Sequence, residues 1–142
     1  MKRILFILSV AFAMFSCAEG ERQDRLSAVV PYPNEVKAAE GEFNAKGAAV
    51  TYDASLDETT VNVIKSFAEK LSTVSGAESA VVEGAADNGF VFVCNAEVPA
   101  EAYALDITPE AVRVEASGLR GFNYAVQTIK QLLPVQIFGN EP

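Results

Sequence analysis

An α+β sandwich, a mostly antiparallel sheet with two helices packed on one of its faces, is the fold this sequence predicts. Three observations predict it. Residues 102–107 and 111–116 alternate apolar and polar side chains on either side of a proline turn, and a period of two is the mark of half-buried strands. Two other stretches carry apolar residues at three- and four-residue steps. They are Val61, Ile64, Phe67, Leu71 and Val74, then Leu119, Phe122, Val126, Ile129 and Leu133. Each is the buried stripe of a helix. The order is strands, helix, strands, helix, with the last three strands close in sequence, which favours antiparallel neighbours.

The N-terminus reads as an export signal. Lys2 and Arg3 precede the mostly apolar residues 4–15, and Ser16-Cys17-Ala18 follow. A charged start, an apolar centre and a small-residue boundary define a secretory leader, here residues 1–16. The apolar centre is too short to span a bilayer, which needs about 20 helical residues. Cys17 stands where bacterial lipoproteins place their acylated cysteine, in the imperfect match Met14-Phe15-Ser16-Cys17. Lipidation at Cys17 is the expectation; ordinary cleavage near Ala13 or Ala18, with Cys17 incidental, is the alternative. Residues 17–28 are polar and aperiodic, as a flexible tether should be. Such a protein is expected in the bacterial cell envelope, lipid-anchored to the outer membrane or periplasmic.

The domain body runs from 29 to 134. Pro31 and Pro33 keep its first residues extended. Residues 40–42 read as a turn, Phe43 as the start of a short strand and 48–53 as another. Ser55 with Glu58 resembles a capping box for the first helix, and Gly76 suits its C-terminal cap. Val81-Val82 form a short strand. Asp87-Asn88-Gly89 turn the chain into a strand over 90–94. Thr108-Pro109-Glu110 join the two alternating runs into a hairpin, because Pro109 presets its own φ for a tight turn. Ser117 is expected to cap the second helix, and Pro134 forbids its continuation.

At the second helix the residues resemble a known family. Gly121, Tyr124, Ala125, Gln127, Thr128, Gln131, Leu132 and Pro134 stand at the spacing that ends the N-terminal accessory domain of glycoside hydrolase family 20, the β-N-acetylhexosaminidases. The hairpin AYALDITPEAVRVEAS resembles the one before it, and Val30-Pro31-Tyr32-Pro33 resembles the motif that opens the domain. The resemblance covers roughly 29–134. It implies an α+β accessory domain followed by a catalytic (β/α)8 barrel, with residues 135–142 the run-in to that barrel and the barrel itself absent from this chain. It implies a parent that removes terminal N-acetylhexosamine from glycans and meets its glycan substrate only through the barrel. The alternative is a stand-alone surface lipoprotein that binds or scaffolds.

Composition narrows the chemistry. The 142 residues leave no room for a barrel of about 250. The formal net charge is −8, which argues against nucleic acid, whose affinity comes from neutralised phosphates. There is no histidine, so a Ser-His-Asp or Cys-His site is excluded and a zinc site is not expected. No metal or cofactor is expected. Cys94, at the end of an apolar run, is expected to be a buried, inert thiol. The one Asp-Glu pair, Asp57-Glu58, could suggest the acid pair that the family's barrel uses. It lies instead in the first turn of a helix, where acids favour the dipole, and it lacks flanking glycines; no catalytic residue is assigned. Tyr103 and Phe122 fit apolar faces and are expected in the core. Tyr124, Gln127 and Gln131 leave the apolar stripe and follow one another at three- and four-residue steps, so they share a second face. That face is the expected contact with a barrel; the competing role for the two glutamines is to cap loops within this domain.

Overall fold

A computed structural model of the chain describes residues 34, 35, 37 and 41–133. The expected leader and tether, Cys17, Pro31, Pro33, Pro134 and the run 135–142 lie outside the described residues. Seven elements follow in order: β1 (Val50–Tyr52), α1 (Glu58–Ser75), β2 (Val81–Glu83), β3 (Gly89–Cys94), β4 (Ala104–Ile107), β5 (Ala111–Ala116) and α2 (Leu119–Leu132).

The five strands form one sheet in the order β2-β1-β3-β5-β4. It is mixed, not mostly antiparallel: β1 pairs in parallel with β2 and β3, β3 with β5, and only β4 and β5 are antiparallel. The reason lies in the connections. Helix α1 is a crossover between β1 and β2, and a helical crossover returns the chain in the same direction. The link 95–103 then carries the chain past one strand position. β4 therefore lies at the edge, and β5 folds back between β4 and β3, running with β3. The residues agree with these places. Val112, Val114 and Ala116 of the inner strand β5 are buried, whereas every residue of β4 is at least partly exposed.

Both helices pack on one face of the sheet. A single core joins Ile64, Phe67 and Leu71 of α1 and Phe122, Val126 and Ile129 of α2 to Val50, Phe90, Phe92, Val112 and Val114. Phe67 meets Phe90 edge-on with ring centroids 5.1 Å apart, and Phe92 lies 6.2 Å from Phe122. These separations suit the aromatic quadrupole. Phe43 is not in a strand, yet its ring reaches Phe90 at 5.1 Å, so the residue was needed for packing rather than for pairing.

Local signals hold in part. Thr108 and Ala111 close the hairpin: the Thr108 amide donates to the Ala111 carbonyl at 2.8 Å, and the Ala111 amide donates to the Thr108 hydroxyl at 3.1 Å. Gly76 ends α1 with φ 68, the left-handed region that glycine enters without cost. The caps at the helix starts differ from expectation. Asp57, not Ser55, caps α1, accepting from the Thr60 amide at 3.0 Å and the Thr60 hydroxyl at 2.8 Å. Ser55 instead donates its amide to Asp53 at 2.9 Å. Gly118, not Ser117, is the N-cap of α2 and offers no side-chain bond. Leu119, expected in the buried stripe, is 38% exposed because it opens the helix beyond the sheet's cover.

Gly121 fixes how close α2 comes to the strands. A Cβ there would overlap the Ala102 carbonyl oxygen and stand 2.8 Å from the Ala116 methyl. Gly121→Ala raises intrinsic helix propensity by about 1 kcal/mol, yet it should destabilise this domain because backbone would have to move. Phe122→Ala beside it should cost about 3–5 kcal/mol, as large aromatic truncations in cores do. Urea unfolding measures both; a more stable Gly121→Ala variant would show that the close approach does not constrain the fold.

Candidate functional site

The helix pair presents a groove on the side turned away from the sheet. From α1 come Thr59, Asn62, Val63, Ser66 and Phe67; from α2 come Asn123, Val126, Gln127 and Lys130; the space between them is ≈ 390 Å³. Val63, Phe67 and Val126 form its floor, since they also belong to the core or pack against it. The walls are amides, hydroxyls and one ammonium group. No carboxylate lines it, although the chain holds 19 acidic residues. Lys130 is the one charged side chain in the lining, and depletion of charge around an apolar floor is one trait of an interface centre.

Of the three predicted face residues, the structure places only Gln127 in the lining of this groove. Gln127 lines it and is exposed. Tyr124 is not among the lining residues; it is 48% exposed on α2, a large side chain left outside the core. Gln131 is half-buried, which joins it less fully to the exposed face. The α1 half, Thr59, Asn62 and Ser66, was missed by the sequence reading. Its signal was present: three neutral polar residues at three- and four-residue steps on the side opposite Ile64 and Leu71.

The Asp-Glu pair has a structural task. The Asp57 carboxyl is held below the ordinary carboxylate range, first by the Thr60 amide and then by the Thr60 hydroxyl. It is an acceptor at a helix start, and Glu58 is the first residue of that helix. Asp53 is lowered in the same manner by the Ser55 amide and hydroxyl. Neither carboxylate is raised toward neutrality, as a general acid would need to be.

The other face of the sheet is charged but internally matched. Arg113 donates to Glu115 at 3.0 Å, and the Asn95 amide donates to the other Glu115 oxygen at 2.9 Å. Asn95 first, and then Arg113, hold the Glu115 carboxyl below its ordinary range. Asp106 stands directly across from Arg113 in the β4–β5 register. A shallow depression of ≈ 170 Å³ lies here among Asp87, Val91, Asp106 and Arg113. Among the described residues no group of three or more Cys, Asp or Glu side chains is placed to hold a metal ion. Cys94 is a free thiol, half-buried rather than fully enclosed. Tyr103, half-buried, bonds its hydroxyl to that of Thr128, and Phe122 is fully buried; neither is a sugar platform.

A sequence profile for glycosyl hydrolase family 20, domain 2, matches residues 26–140. The chain belongs to glycosyl hydrolase family 20, as its accessory domain. Solved structures agree in fold. The family 20 β-N-acetylhexosaminidase from Streptomyces coelicolor A3(2) superposes with a TM-score of 0.69 at 24% identity, over 79% of this chain and 22% of that one. The family 20 exo β-N-acetylglucosaminidase from Vibrio harveyi gives 0.60 at 22% identity, over 77% of this chain and 16% of its own. The β-N-acetylhexosaminidase from Bacteroides fragilis gives 0.56 at 30% identity, over 72% and 20%. No curated protein matches the chain. The family 20 domain thus spans about a fifth of the length of the solved enzymes it resembles.

Proposed function

We propose that this family 20 domain serves an exported β-N-acetylhexosaminidase by docking its outer helix face on a catalytic (β/α)8 barrel of the same parent chain. The parent would release terminal N-acetylhexosamine from glycans; the domain itself would touch no substrate. The observation that carries this reading is the groove between α1 and α2, carboxylate-free in an acidic protein, on a helix pair that also leaves Tyr124 exposed. The solved relatives are hexosaminidases several times longer than the matched region, which supports a larger parent. The lowered Asp57 and the absence of histidine from the sequence support a non-catalytic role.

Docking predicts an asymmetry. Tyr124→Ala and Gln127→Ala should leave the melting temperature of the isolated domain nearly unchanged, since both side chains are exposed here. The same changes should lower the stability of a full-length parent by about 1 kcal/mol or more, since tyrosine is enriched among the residues that carry interface energy. Equal losses in both would mean that the face serves this domain alone. A stable isolated product in cells, with no barrel encoded beyond it, would favour a free-standing binding lipoprotein.

Export is proposed to end in lipid anchoring at Cys17, with residues 17–28 as the tether. The leader-like residues 1–16 and the small boundary residues support it. Mass spectrometry of the mature N-terminus should find a diacylated or triacylated Cys17; a soluble start after Ala13 or Ala18 would contradict it.

A further inference from the structure

The step Asn88-Gly89 opens β3. Asparagine followed by glycine is the sequence most open to self-modification, because no side chain on the second residue shields its nitrogen. The Gly89 nitrogen attacks the Asn88 side-chain carbonyl carbon. A bond forms between them, the bond from that carbon to the amide nitrogen breaks, and the displaced proton leaves with ammonia. Solvent water then opens the five-membered imide. Opening at one carbonyl gives aspartate; opening at the other gives isoaspartate, which adds a carbon to the main chain.

In this fold the glycine cannot be exchanged for a safer residue. Gly89 sits at φ 75, and a Cβ there would overlap the Ala49 carbonyl oxygen. The same packing restrains the nucleophile. Gly89 is buried, and its N–H donates to the Glu110 carbonyl at 3.0 Å. Its neighbour Phe90 is paired with Val50 on one side and Val112 on the other and is fully buried. A nitrogen held as a donor in the sheet cannot turn onto the exposed Asn88 side chain. The labile pair is therefore kept intact by β-pairing, not by sequence.

We infer that Asn88 is a deamidation site gated by opening of the N-terminal end of β3, and that isoaspartate formation there makes the opening irreversible. An extra main-chain carbon before Gly89 would shift Phe90 out of register with Val50 and Val112. Phe90 would then lose its edge contacts with Phe43 and Phe67. The aspartate product would keep the register and add only a charge beside Asp87.

The test follows Asn88 by peptide mapping in the whole chain at neutral pH, across a urea series, against a synthetic peptide spanning Asp87–Val91. The folded chain should deamidate slower than the peptide by roughly tenfold or more, since reaction needs the opened state. Its rate should climb with urea along the unfolding curve and reach the peptide's rate when unfolding is complete. The isoaspartate-bearing fraction, separated from the aspartate one, should have lost its cooperative melting. Asn88→Gln should remain unmodified. A folded chain that reacts at the peptide's rate, a rate that does not rise through the unfolding transition, or an isoaspartate form that melts like the unmodified chain would each overturn the inference.

Discussion

Helix α2 can lie against the strand layer at its observed depth because position 121 carries no side chain. The Gly121 backbone meets the Ala102 carbonyl and the Ala116 methyl, two points that belong to different parts of the chain. One is the approach to the edge strand β4; the other is the end of the inner strand β5. The rest of the helix follows from that depth. Phe122 reaches Phe92, Thr128 reaches the Tyr103 hydroxyl, and Val126 and Ile129 close over the sheet. Close packing of this kind leaves few alternatives, since interiors tolerate neither voids nor overlap. Seated there, α2 also lies beside α1, and the groove between the helices exists as a result.

The two outer surfaces of the sandwich differ in kind. On the exposed sheet face, Arg113, Glu115 and Asn95 satisfy one another, and Asp106 lies across from Arg113. Such surface pairs add little stability, and they leave few groups in search of a partner. The groove on the helix face is the reverse: an apolar floor, walls of amides, hydroxyls and the Lys130 ammonium, and no acid. In a chain of net charge −8, a groove whose only charged lining residue is Lys130 stands apart in composition. It suits a permanent neighbour that excludes water better than it suits a dissolved ligand, because the walls offer no concentrated charge or aromatic platform.

Much of this was legible in the residues. The hairpin, its Pro109 turn, both helices and their large buried residues Val61, Ile64, Phe67, Leu71, Phe122, Val126 and Ile129 follow from period and turn chemistry. The small or polar buried residues Thr60, Ala68, Gly121, Ala125 and Thr128 do not. The family resemblance rested on Gly121, Tyr124, Gln127 and their neighbours in α2, and Gly121 proves to be a point of backbone contact. The sheet's direction was not legible. β1 and β2 are three residues each, too short to show alternation, and pairing in parallel depends on where the crossovers land. Nothing local to β4 and β5 says which is the edge, since both alternate; the exposure of β4 is set by the link before it. The caps went to Asp57 and Gly118 rather than to Ser55 and Ser117 because the backbone entered each helix later than the serines suggested. The α1 half of the groove was hidden by its blandness: Thr59, Asn62 and Ser66 look like any solvated helix face until α2 is laid beside them.

The proposed docking requires the outer helix face to be covered by the barrel in a full-length parent. Side-chain oxidation footprinting of the domain alone and of a full-length parent tests it most directly. Tyr124, 48% exposed in this structure, should be readily labelled in the isolated domain and strongly protected in the parent. Tyr103, half-buried within the domain, should label equally in both. Unchanged labelling of Tyr124, or new protection confined to the Arg113 side of the sheet, would contradict the account.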